Sequence, residues 1–208
     1  MRTRQPRYVV GIDEAGRGPL AGPVSVAAVV ARSTQLSRIV LDSDKSLGIL
    51  RDSKKLSPKK REQWFKWLKE KRKNKQLRFA VSLVGEKIID REGIVSAVRI
   101  GIRRCLKRFG LKPEQCRVLL DGSLYAPKIY QNQKTIICGD EKIPIIMLAS
   151  IIAKVRRDRR MVKLARVYPN YHFQIHKGYG TRLHCAALRR HGLSPRHRRS
   201  FLKNYTTS

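Results

Sequence analysis

Apolar and polar positions alternate along the chain in a way that separates short β-runs from longer helical stretches. Two β-runs come first, at residues 8–13 and 22–31, joined by a glycine-rich turn. The second is long and rich in β-branched residues, the mark of a buried strand. Residues 36–57 hold Asp42, Asp44 and Asp52 among Ser, Lys and Gly, and predict loop, with a short helix near Ser37–Leu41 at most. Ser57-Pro58 marks a helix start with proline in the first turn. Trp64, Trp67 and Leu68 follow at i, i+3 and i+4, an aromatic stripe that suits core packing better than base stacking. The run Lys69–Lys75 is a solvated basic end.

Residues 77–84 alternate as a third strand. Residues 92–109 predict a helix with Ile94, Val95, Val98, Ile102, Cys105 and Leu106 on one face. Short strands are expected at 117–122 and 134–140, and a long helix over Pro144–Val167, apolar first and basic later. Residues 168–208 hold the turn Lys177-Gly178-Tyr179-Gly180-Thr181 and two short basic helices. Strands first, then helix alternating with strand, predict an α/β sheet flanked by helices. The expected division is a main domain over 1–167 and a C-terminal helical extension over 168–208, packed together as one unit.

Charge narrows the function. Lys and Arg number 47 against 15 Asp and Glu, a formal net charge of +32. Such a chain expects a polyanion, most commonly nucleic acid. A membrane partner is not expected, because no stretch approaches the roughly 18 apolar residues of a spanning helix. The basic start at Met1–Arg7 does not read as a signal peptide, since Asp13 and Glu14 break the apolar run behind it. Cys105, Cys116, Cys138 and Cys185 are widely spaced without a CxxC pair, which predicts reduced thiols and a cytoplasmic location.

Acids are scarce, so their placement matters. Most fall in polar segments, but Asp13, Glu14, Asp121 and Asp140 each follow a short apolar β-run. Functional groups in open α/β sheets collect at the carboxyl ends of strands. If these strands are neighbours, four carboxylates meet at one edge and resist ionising together. Two divalent cations, Mg²⁺ or Mn²⁺, would relieve that repulsion and suit in-line phosphodiester cleavage. Each acid alone reads better as a cap or turn residue; only the four together favour metal chemistry. His184, His191 and His197 sit in a basic tail without the cysteine partners of a zinc finger. In Gly16-Arg17-Gly18, the glycines would let a phosphate or sugar approach and Arg17 could hold a phosphate. A plain tight turn with an exposed arginine explains the same spacing. Tyr179, between glycines, could pack on a sugar or base, or anchor its loop to the core.

These segments, taken together, resemble the type 2 ribonuclease H family, specifically ribonuclease HII. The match runs through Gly11–Pro23 (GIDEAGRGPLAGP), Asp52–Ser57 (DSKKLS), Asp121-Gly122, Gly139-Asp140, Ala149–Arg159 (ASIIAKVRRDR), His176–Thr181 (HKGYGT) and Gly192–Phe201 (GLSPRHRRSF). The resemblance implies an RNase H-like fold, a central mixed sheet flanked by helices with a C-terminal helical extension. It implies endonucleolytic cleavage of RNA in RNA–DNA hybrids and incision 5′ of single ribonucleotides in duplex DNA, leaving 3′-hydroxyl and 5′-phosphate ends. The family's metal-binding acids fall on Asp13, Glu14, Asp121 and Asp140. Its sensor of the 2′-hydroxyl falls on Gly16, Arg17 and Gly18, and its sugar-packing tyrosine on Tyr179. Lys54 and Lys177, within two of the matching segments, are the further substrate-binding candidates. Arg17 sets the chain apart from ribonuclease HIII, which lacks that arginine. A monomer without a protein partner is expected. The remaining alternatives are a non-catalytic basic nucleic-acid-binding protein and another nuclease of this fold, such as a junction resolvase.

Overall fold

A computed structural model describes residues 6–202, the side chains of 43–46 excepted. The side chain of Asp44, the start Met1–Gln5 and the tail from Lys203 lie outside the described residues. Five strands form one sheet: β1 (Tyr8–Ala15), β2 (Val24–Arg32), β3 (Leu77–Val84), β4 (Cys116–Asp121) and β5 (Gln133–Ile136), in spatial order β3-β2-β1-β4-β5. The first three are antiparallel neighbours, while β4 runs parallel to β1 and β5 parallel to β4. The sheet is thus mixed, as expected. Among the described residues the helices are α1 (Leu36–Leu47), α2 (Pro58–Lys73), α3 (Glu86–Lys107), α4 (Gly139–Lys142), α5 (Pro144–Val167), α6 (Phe173–His176) and α7 (Arg182–His191).

The period-2 pattern of the central strands sorts side chains onto two faces. Val10, Ile12, Val26, Ala28 and Val30 meet Ala97, Val98, Ile102 and Cys105 of α3 on one face. Ala27, Val29 and Ala31 meet Trp64, Phe65 and Leu68 of α2 and Ile145–Ala153 of α5 on the other. Both tryptophans are buried, Trp64 meeting Trp67 edge-to-face with ring centroids 5.5 Å apart. The stripe is therefore core, as its spacing implied. The start of α5 lies directly on β1, where a side chain at Gly11 would sit 2.4 Å from the Ile145 carbonyl oxygen.

Three expectations need correction. Residues 36–47 form a 12-residue helix rather than loop. Their polar composition hid an apolar spacing that buries Ile39 and half-buries Leu36 and Leu47 against the α2 and α5 core. Helix α3 begins at Glu86, well before residue 92, and is interrupted at Gly93, whose φ of 79° breaks the helical path. The last strand stops at Ile136 instead of running to Asp140. Its apolar appearance misled: Ile137 is 77 % exposed, and Cys138 takes a left-handed φ of 55° that turns the chain into α4.

Residues after Val167 pack on the far half of α5. Tyr171, Phe173, Ala187, Leu188 and Leu202 join Met161, Leu164 and Ala165 in a third apolar cluster that includes Ala21, just beyond the glycine-rich turn.

Candidate active site

Parallel pairing of β1 with β4 sets their carboxyl ends side by side. Strand β1 continues to Ala15, so Asp13 and Glu14 lie within its last residues rather than after it. Asp121 is the last residue of β4. Asp140 reaches the same corner from the first turn of α4, and its N–H donates to Asp121 Oδ1 at 3.2 Å. The fourth acid therefore arrives on a helix rather than at the end of a strand.

Burial dominates the electrostatics of this corner. Asp13 is only 4 % exposed. Burial, then the charges of Glu14 and Asp121, hold its pKa well above the ordinary value. Hydrogen bonds from the Ser150 hydroxyl and the Glu14 N–H, the latter at 2.7 Å, partly oppose them. Burial also raises the Glu14 pKa, against the pull of Arg17 at 3.4 Å, with Asp121 adding to the rise. Glu14 Oε2 is buried without a hydrogen-bond partner among the described residues. Lys54 Nζ donates to Asp140 Oδ2 at 3.1 Å. Burial disfavours the Lys54 ammonium, but the bond and charge of Asp140, with Asp52 and Asp13, outweigh it and raise the pKa.

A cluster of carboxylates thus sits inside a strongly positive protein, with Arg17, Lys54, Arg61 and Lys154 in the same cleft wall. Among the described residues, no three Asp, Glu, His or Cys side chains are gathered as a ready-made metal shell. The donor set still fits a hard divalent cation. It consists of carboxylate oxygens, one of them an orphaned buried atom, whose mutual repulsion a cation would relieve.

The glycine-rich turn and the Tyr179 turn, the two candidate substrate-binding segments, are held beside these acids. Gly16 has φ 92°, and a side chain there would strike Arg157 Nε at 1.9 Å, so the turn requires glycine. Buried Arg198 donates to the carbonyls of Gly16 and Arg17 at 2.7 Å each and of Gly22 at 2.9 Å. Arg157 donates to Pro23 and Ala21 at 3.0 and 3.2 Å. The carbonyls of Gly16, Arg17, Ala21, Gly22 and Pro23 are therefore all occupied. Among the described residues, the N–H groups of Arg17 and Gly18 have no protein partner. A side chain at Gly18 would meet nothing within 4 Å. Leu20 N–H donates to Gly178 O at 2.8 Å, which ties the Tyr179 turn to this segment.

Asp13, Glu14, Gly16, Arg17, Gly18, Lys54, Asp121 and Tyr179 line one cleft of about 460 Å³. Tyr179 is 44 % exposed there, so its ring is not a core anchor. Lys177 faces elsewhere: it lines the adjoining groove between α2 and α5 and donates to the Gln174 carbonyl. Sequence reasoning missed Ser53, Arg61, Ser150 and Lys154 in the cleft wall. Arg61 donates to the Ser53 and Leu56 carbonyls at 2.8 and 2.6 Å, fixing the loop that carries Lys54. Arg157 and Arg198 were missed too, because one buried arginine within a basic run has no distinguishing local pattern.

A sequence model of the family Ribonuclease HII matches residues 10–204. A ribonuclease HII of Endomicrobium trichonymphae is 45 % identical over 193 residues, covering 93 % of this chain and 84 % of the relative. Two solved structures are each 26 % identical. The crystal structure of the ribonuclease H2 from Pyrococcus horikoshii OT3 has a TM-score of 0.67 and covers 97 % of this chain and 100 % of its own. The structure of the PCNA:RNase HII complex from Archaeoglobus fulgidus has a TM-score of 0.70, with 91 % and 93 % covered. The matched span takes in all four carboxylates, the glycine-rich turn and Tyr179, and the chain belongs to the ribonuclease HII family of metal-dependent endoribonucleases.

Proposed function

We propose that this ribonuclease H incises duplex DNA on the 5′ side of an embedded ribonucleotide, as well as cutting longer RNA–DNA hybrids, and so serves ribonucleotide removal from DNA. The observation that carries this reading is the glycine-rich turn. Its carbonyls are fixed by Arg198, while the N–H groups of Arg17 and Gly18 stand free at the cleft. Only the 2′-hydroxyl marks a ribonucleotide within DNA, and fixed backbone donors can read it. Open space at Gly18 leaves room for the sugar. Tyr179, across the same cleft, packs against the neighbouring sugar, where its ring accepts a deoxyribose and crowds a ribose. Arg17 and Lys54 hold the flanking phosphates.

Asp13, Glu14, Asp121 and Asp140 would hold two divalent ions, Mg²⁺ or Mn²⁺. Bound there, such ions supply charge stabilisation and a water of lowered pKa. The chain's own groups prepare the site. Burial keeps bulk water from Asp13, Ser150 orients its carboxylate, and Lys54 partly neutralises Asp140. The protein acts as a cytoplasmic monomer in this reading.

Three end-labelled substrates test it in Mg²⁺ and in Mn²⁺: a duplex with one ribonucleotide, a long hybrid and an all-DNA four-way junction. Incision of the first two, with 3′-hydroxyl and 5′-phosphate ends, is expected. Cutting confined to the long hybrid would remove the single-ribonucleotide reading, and cutting of the junction would favour a resolvase.

A further inference from the structure

Six cations line two adjoining concavities at the outer edge of the sheet, beside β3. The first, of about 310 Å³, is walled by Arg72, Arg78, Arg108 and Arg156 over a floor of Phe79, Ala80, Val81 and Phe109. The second, of about 580 Å³, shares Arg72, Arg78 and Phe109 and adds Arg32 and Lys75. Neither wall contains an Asp or Glu. Among the described residues, none of the six cations forms an ion pair.

Several of these guanidinium groups are held in place. Arg72 lies 5.0 Å over the Phe79 ring. Arg78 lies 5.6 Å over Phe109 and donates to its carbonyl at 3.0 Å. Arg108 donates to the Val81 carbonyl. Each such bond uses part of a five-donor fork and leaves the rest outward. Charged side chains on an edge strand also discourage pairing with another sheet. That role needs one or two cations, not six in one concave strip without a counter-charge.

The strip is separate from the acid cleft. Across the sheet, Asp13 is in register with Ala27, and Ala27 with Val81. Two strand spacings, roughly 10 Å, therefore lie between it and the catalytic strand. No residue lines both the strip and the acid cleft.

We propose that this arginine strip is a second nucleic-acid contact, binding backbone phosphates of duplex DNA outside the catalytic cleft. Planar guanidinium forks match phosphate oxygens, and aromatic floors keep them oriented. The strip gives part of the +32 charge a defined place and task. It is independent of which ribonucleotide substrate is cut.

The test uses the full chain and an all-DNA duplex, so that cleavage plays no part. Anisotropy titrations over a range of KCl concentrations would compare wild type with R72Q/R108Q/R156Q. A control, R99Q/R103Q/R104Q, removes three exposed arginines from α3, outside the strip. Each phosphate contact adds about 0.9 to the slope of log affinity against log salt. The strip variant should lose about 2–3 units of slope, and the control less than about 1. Equal losses in the two variants, or an unchanged slope in the strip variant, would overturn the proposal. If losing the Arg108–Val81 bond unfolds the triple variant, R72Q/R156Q removes only side chains that hold no backbone carbonyl among the described residues. It should lose about 2 units. The turnover rate on a short hybrid should be unchanged. A matching fall in turnover would place these arginines in the catalytic cleft instead and overturn the proposal.

Discussion

His184 Nε2 lies 3.0 Å from His197 Nε2 in the buried C-terminal cluster, so one imidazole must donate and the other accept. The surrounding bonds decide which. His184 Nδ1 faces the Tyr179 carbonyl at 2.9 Å and must donate to it, leaving Nε2 as the acceptor. His197 Nδ1 accepts from the Ser194 N–H at 2.9 Å, leaving Nε2–H as the donor. A chain of neutral imidazoles thus ends on the backbone of Tyr179. His176, stacked on His184 at 4.3 Å, accepts from the Gly178 N–H at 3.1 Å. These buried rings position the tyrosine's turn from inside the protein.

Replacing His184 by Phe should loosen Tyr179. Misplacement of a positioning group by about 1 Å can cost on the order of 100-fold in rate. We expect a ten- to hundredfold loss on a single-ribonucleotide duplex, by the scale of that effect, and less on long hybrids. Parallel loss on both substrates would show that the histidines support only the fold.

The same chain predicts a pH dependence of stability. Burial, then the neighbouring His184, lowers the pKa of His176 and of His197 from 6.5 to about 4. A lowered pKa in the folded state means that the unfolded state binds more protons between these values. The stabilisation is complete above pH 6.5 and is lost as pH falls towards about 4. Urea midpoints across this range should decline for the wild type. The decline should be shallower in H197F, measured relative to its own value at neutral pH.

Two glycines of one turn should respond oppositely. G16A places a side chain against Arg157 at a positive φ, and should cost more than about 1 kcal/mol of stability. G18A meets no protein atom and should leave stability within about 0.5 kcal/mol. It should nonetheless impair incision at a ribonucleotide, because the added methyl fills the open space before the free N–H groups. Thermal melts paired with cleavage assays separate the two. Full activity of G18A would contradict the proposed approach of the sugar.

Lys54 pairs with Asp140 at 3.1 Å and would compete there with a bound cation. The ammonium is largely exposed, so its pairing is worth no more than about 1 kcal/mol. K54M should lower the Mn²⁺ concentration giving half-maximal activity by roughly two- to fivefold, the affinity equivalent of up to that energy. It should also weaken substrate binding. An unchanged metal requirement would show that Lys54 does not oppose the ion.

Much of this site was legible because its parts are local. Asp13, Glu14 and the glycine-rich turn share one segment, and Asp121 closes a β-run whose parallel pairing with β1 follows from the fold. Asp140 does reach the acid corner, but by another route than its sequence suggests. Its segment looks like a strand, but Cys138 turns left-handed, and the acid arrives on a helix beside Asp121. Long-range supports left no pattern. Arg198 reaches Gly16 from 182 residues away, and the histidine chain joins rings that the sequence places only in a basic tail. Helix α1 was hidden because only a thin apolar edge contacts the core while its remaining residues are polar.

The central claim is that four acids make a metal-dependent cleavage centre rather than a binding surface. D121N tests it most directly, with cleavage and duplex binding measured on the same preparation in Mg²⁺ and in Mn²⁺. The variant removes one charge from a crowded corner, so it should fold and bind duplex as well as wild type or better. It should also lose cleavage by more than about 100-fold, the scale of removing a group that acts on transition-state charge. Cleavage that persists in D121N, or binding lost in proportion to cleavage, would contradict the account.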